Sequence, residues 1–199
     1  EDLQFIGAMS HPGGGKNDIP NRLKRHFAIF NITLPSEVSI DQIFGSIIRG
    51  RFNPKRLSDE SMLHVANNIT KATIHFWQKL AEQMLPTPNK FHYIFNLRDL
   101  SKVYQGLMLC PMDVVKSAQT LVALWNHECT RVFSDRLNDV KDKEWFDNKI
   151  MEIMKKFFGD ELAKQNKSPT YFVNFLRDPI FDEETDEMIE EAPKIYEPI

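Results

Sequence analysis

Only two cysteines, eight glycines and no strong net charge appear in these 199 residues. No apolar run approaches the ~20 residues that a bilayer-spanning helix requires. Each shortage excludes something. Cys110 and Cys129 are too few for a disulfide framework and lack the CxxC spacing of a zinc site, so two reduced thiols in cytosolic surroundings are expected. No charged-then-apolar leader is visible, and no membrane association is expected. The net charge is −3. The stretch 182–199 alone holds eight acids against Lys194, a balance of −7 that leaves +4 elsewhere. A concentrated basic face is therefore missing, and with it the footprint of a nucleic-acid binder. The acid run itself reads as a solvated tail.

Packing material is plentiful: 42% hydrophobic residues, with 15 Phe, 3 Trp and 4 Tyr. Leu3–Met9 has the unbroken apolar character of a buried parallel strand. It stops at the loop-forming run His11–Gly15. A two-turn helix is expected over Ile19–Phe27, with Pro20 near its start, and a second strand over Ala28–Leu34, closed by Pro35. From there the apolar period becomes helical. Ser36 or Ser39 can cap a helix carrying Ile40, Ile43, Phe44, Ile47 and Ile48. Ser58-Asp59-Glu60 opens a long helix that ends before Pro86, and Asn96 caps another over Leu97–Met108. Two more are expected over Met112–Leu137 and Lys143–Gln165, and then the pattern dissolves into a linker with one strand-like piece near Tyr171–Leu176. Two strands cannot complete a parallel sheet. The first 35 residues therefore read as the end of an α/β unit whose other strands are absent, in an excised piece of a longer chain.

The chemistry-bearing patterns are mostly failures. Gly15-Lys16 resembles the end of a phosphate loop, but Asn17 replaces the hydroxyl residue and Ser10 the first glycine. The six histidines show no metal-site spacing, and no GxSxG or Cys/His constellation supports nucleophilic catalysis. Two arginines are better placed. Arg25 ends a short helix just before a strand, and Arg98 lies in the first turn of a helix. Each carries the planar, always-charged fork that suits phosphate oxygens. Taken singly, each is also explained by a surface ion pair, with Asp99 or Asp135 as partner.

Three separated segments change that balance: FIGAMSHPGGGKNDIPNRLKRHF (5–27), FHYIFNLRDLS (91–101) and LWNHECTRVFSDRL (124–137). In order and spacing they resemble dynein heavy chains, specifically the third AAA+ module of the motor ring. FLRD (175–178) and PKIYEPI (193–199) look most like axonemal outer-arm heavy chains. The resemblance implies a mainly α fold. Residues 1–35 would be the last two strands and a helix of an incomplete α/β AAA+ large subdomain. Residues 36–167 would be the helical small subdomain, or lid, and 168–199 a linker towards the next module. It implies that Arg25 is an arginine finger aimed at the neighbouring module's nucleotide and that Arg98 is the sensor II arginine of the module's own. The Met9-Ser10-His11 region, where a polar sensor I residue is usual, departs from the pattern. ATP or ADP with Mg is implied for the intact module, with none held tightly by this piece, which would not itself be an enzyme. The implied partners are adjacent AAA+ modules, microtubules, and intermediate and light chains, in the cytoplasm, cytoskeleton and ciliary axoneme. A free-standing helical interaction module with an acidic tail is the alternative.

Overall fold

A computed structural model describes residues 2–10, 12, 17–54, 59–181, 188–190 and 192–199. His11 and Gly13–Lys16, the loop that resembles a phosphate loop, lie outside the described residues, as do Ser58 and most of the acid run (182–187 and 191).

The chain is mainly helical. Its centre is α4 (Glu60–Gln83), 24 residues without a Gly or Pro, capped by the Asp59 side chain accepting from the Ser61 amide. Met62, Val65, Ile69, Ala72, Phe76 and Leu80 recur at three- and four-residue steps and are all buried. Against α4 pack α5 (Leu97–Leu109), α6 (Ala118–Phe133) and α7 (Val140–Phe158). Phe76 sits between Phe133 and Phe146, with ring centroids at 5.8 and 5.0 Å, and Trp125 meets Phe158 edge-on at 5.2 Å. Two indole tips within this core are satisfied. Trp125 donates its indole N–H to Thr73 Oγ1 at 2.9 Å while Thr73 donates to the Ile69 carbonyl, and Trp77 donates to the Phe95 carbonyl.

Before α4 comes α1 (Asn21–Lys24), then α2 (Glu37–Ile40) running through a π-helical turn (Asp41–Gly45) into α3 (Ser46–Arg51). Ser36 caps α2, as one of the two candidates from sequence. Gln78 of α4 holds Glu37 of α2 at 2.9 Å, and Arg51 bonds the Met108 and Cys110 carbonyls at the end of α5.

Several expected elements differ. Leu3–Met9 and Ala28–Leu34 form no strand ladder among the described residues, and their large apolar side chains stand exposed, Ile6 at 88% and Ile32 at 89%. A strand exists only by pairing, and no described segment is positioned to pair with either. The expected helix 19–27 shortens to the single turn of α1. The expected helix 112–137 begins only at Ala118, because Ser117 accepts from the Thr120 amide and caps it there. Val115 upstream is buried, which mimics helical periodicity without belonging to the helix. The last expected helix starts earlier, at Val140, where Asp139 caps it, and is broken by Gly159 at φ +99°, giving α8 (Asp160–Gln165).

The C-terminal stretch, expected as a linker, folds back onto the bundle. β1 (Phe172–Val173) pairs antiparallel with β4 (Glu197–Pro198), Ile199 donates to the Tyr171 carbonyl, and Arg177 grips Glu197. Phe172 is 3% exposed against the helical core. A second antiparallel pair joins β2 (Ile180–Phe181) to β3 (Met188–Glu190).

Candidate functional site

The first turn of α5 is the best-organised corner of the surface. Asn96 accepts from the Arg98 amide at 2.9 Å while Asp99 accepts from the Asn96 amide at 3.0 Å, a reciprocal capping box. Asn96 is the cap expected from the sequence; the return bond to Asp99 is an addition of the structure. The Arg98 side chain points away from the core. It is exposed, and no hydrogen bond, ion pair or ring contact engages its guanidinium among the described residues. The expected surface pair with Asp99 is not made. Asp99 is nearly buried and binds Arg136 instead, at 2.9 Å.

The segment before the cap is bolted down from the α6–α7 connection. Arg136 donates through Nη2 to the His92 carbonyl at 3.0 Å and the Ile94 carbonyl at 2.9 Å, and its guanidinium lies 5.0 Å from the centre of the Phe95 ring. His92 Nε2 donates back to the Arg136 carbonyl at 3.0 Å. The buried Tyr93 accepts from the Asn138 amide and donates to Asp142, which also holds Lys90. That bond to Asp142 raises the Lys90 pKa above its ordinary value and outweighs the opposing effect of burial. Two segments some forty residues apart in sequence thus form one rigid corner beneath Arg98.

Arg25 stands in different surroundings. It is exposed at the end of α1, and its Nε donates to the neighbouring His26 ring at 3.2 Å. No hydrogen bond or ion pair joins it to Arg98 or to any carboxylate among the described residues.

A second polar cluster carries no motif in the sequence. Glu128 of α6 is fully buried, its Oε2 accepting from Arg131 at 2.6 Å and its Oε1 from the Tyr196 hydroxyl at 2.5 Å. His127 Nε2 donates to the same hydroxyl at 2.9 Å. Burial, and secondarily Glu128, push the Tyr196 phenol well above its ordinary pKa, and burial pushes the Cys110 thiol up to about 11. Gly106 is what admits the carboxylate, because a Cβ there would run into Glu128. The cluster lines a cavity of about 540 Å³ with Lys102 and Phe172 on its walls. The i,i+3 spacing of Glu128 and Arg131 is a readable signal; the tail's Tyr196, 68 residues from Glu128, is not.

The described residues form a helical bundle preceded by an extended segment without strand pairing, a mainly α architecture consistent with the lid of a AAA+ module. Sequence comparison agrees: a family profile described as "AAA+ lid domain" matches residues 69–167, and one described as "P-loop containing dynein motor region" matches residues 1–35. The chain is 43% identical over 210 residues to the dynein gamma chain of the flagellar outer arm of Chlamydomonas reinhardtii, covering 98% of this chain and 5% of that protein. It is 47% identical over 204 residues to dynein axonemal heavy chain 5 of Mus musculus, covering 100% of this chain and 4% of that one. With dynein axonemal heavy chain 8 of Mus musculus the identity is 46% over 199 residues, 98% of this chain and 4% of the relative. The chain belongs to the axonemal dynein heavy-chain family and carries its AAA+ lid. It spans about one-twentieth of the length of these relatives.

Proposed function

We propose that this chain is the lid-bearing part of the third AAA+ module of an outer-arm axonemal dynein heavy chain, an ATP-hydrolysing microtubule motor. In this reading residues 1–35 end the large subdomain, 36–167 form the lid, and 168–199 lead to the next module. Arg98 is the sensor II arginine, reaching the phosphates of the module's own nucleotide, and Arg25 is a finger offered to a neighbouring module. The observation that carries the proposal is the exposed Arg98 guanidinium, unengaged among the described residues, on a capped helix start. A planar cation so placed fits the charge of ATP or ADP with Mg, and this chain's contribution to binding that nucleotide is Arg98. The outer-arm name of the Chlamydomonas relative supports the subtype.

The function is regulatory. Because the lid and large subdomain deliver arginines to different nucleotides, nucleotide state is coupled to how the subdomains close, and closure passes around the ring. Adjacent AAA+ modules are the direct partners; microtubules and the intermediate and light chains are reached through the rest of the heavy chain, in the ciliary axoneme.

The test is Arg98→Ala in the full heavy chain, with the other nucleotide sites disabled and release of a fluorescent ADP analogue followed. Loss of one charge-assisted bond should speed release about tenfold. Unchanged release would overturn the assignment.

A further inference from the structure

Arg136 is the least interchangeable residue of the corner beneath Arg98. Its Nη1 meets the nearly buried Asp99 at 2.9 Å, and its Nη2 serves the His92 and Ile94 carbonyls at 3.0 and 2.9 Å. Its plane covers Phe95, and its own carbonyl accepts from His92. One planar fork thus ties together three residues before the helix cap and one inside the first turn. A lysine could satisfy only part of that set, since it has a single ammonium and no plane to lay on a ring. Asp99 in turn closes the capping box on the Asn96 amide, directly beside Arg98.

We propose that Arg136 is a positioning residue for Arg98: by holding Asp99 and the 92–95 backbone to the α6–α7 connection, it fixes where the exposed guanidinium can reach. Arg98 itself has no side-chain partner to aim it among the described residues. Its reach is therefore set by the backbone from which it springs. Small misplacements of a positioning backbone are costly, because a charge-assisted bond to phosphate is directional. This inference rests on the reading of Arg98 as sensor II.

The experiment is a double-mutant cycle in the full heavy chain, using the same ADP-analogue release with the other nucleotide sites disabled. Arg136→Ala should accelerate release by about 2- to 30-fold, the range for coupling through a packed network. Arg136→Lys should fall between it and the wild type. In the Arg98→Ala background, Arg136→Ala should change release by less than about 1.5-fold, because its effect passes through Arg98. An equal acceleration in both backgrounds would overturn the positioning role and leave the sensor reading standing. An Arg98→Ala variant that releases nucleotide at the wild-type rate would overturn the sensor reading and the positioning role with it. The thermal midpoint, measured in parallel, separates these outcomes from unfolding: a positioning residue changes release in variants that remain folded at the assay temperature.

Discussion

Residues 2–34 and residues 36–166 are comparably rich in apolar side chains, yet only the second stretch buries them. Phe30 is 84% and Ile32 89% exposed, whereas Phe76 and Ile69 are at 0%. Amino-acid composition does not separate the two; the nature of the partner does. A helix satisfies its own backbone and needs only a face to pack against, and α4 finds three such faces within this chain. A strand needs a neighbour for every hydrogen bond, and the N-terminal segments have none among the described residues. Leu3, Phe5, Ile29 and Phe30 accordingly stand exposed among the described residues.

The sharpest way to break that comparison is to remove the same kind of side chain from each region. Phe76→Ala should cost about 3–5 kcal/mol in denaturant unfolding, because the ring fills the space between Phe133 and Phe146. Ile32→Ala should stay within about 0.5 kcal/mol, as for an exposed site. A cost above about 1.5 kcal/mol at Ile32 would mean that the N-terminal segment contributes to a core after all.

The same contrast explains what is legible in the sequence. The start of α5 is readable because a helix cap is a local pattern, Asn96 standing directly before Leu97. The ends of α6 and α7 depart from expectation because local competitors outvote periodicity: the Ser117 hydroxyl, the Asp139 carboxylate and the positive φ of Gly159. The Arg136–Asp99 pair and the Tyr196–Glu128 bond are invisible, since they join residues 37 and 68 positions apart that only the packed helices bring together. Of the site, the residue that faces outward is legible and the network that fixes it is not.

A second, smaller effect sharpens the comparison within the bundle. Gly106→Ala should destabilise by about 2 kcal/mol, because the new methyl competes with the buried Glu128 carboxylate for one space. Gly7, where an added methyl would meet open space, should accept Ala within about 0.5 kcal/mol. Equal costs at the two glycines in chemical denaturation would refute the packing role given to Gly106.

The smallest effect concerns the docked tail and is read through pH. His127 is half-buried beside Glu128, Arg131 and Tyr196, and burial, the leading cause, lowers its pKa below the ordinary histidine value. The sign follows from proton counting. Below about pH 6.5 the unfolded chain takes up a proton that the folded imidazole resists, so stability falls with acidification from that point down to the lowered folded pKa. Above about pH 6.5 both forms are neutral and this contribution is flat. His75 is shifted in the same direction, by burial and then by Lys156, Lys79 and Lys149, so it retains part of the acid sensitivity when His127 is replaced. His127→Gln, whose amide can still donate to the Tyr196 hydroxyl, should therefore leave the thermal midpoint at pH 7.5 little changed and make its decline towards pH 5.5 shallower. An unaltered decline would show that the tail's docking site does not sense protonation of His127, and would leave the acid response over this range to His75.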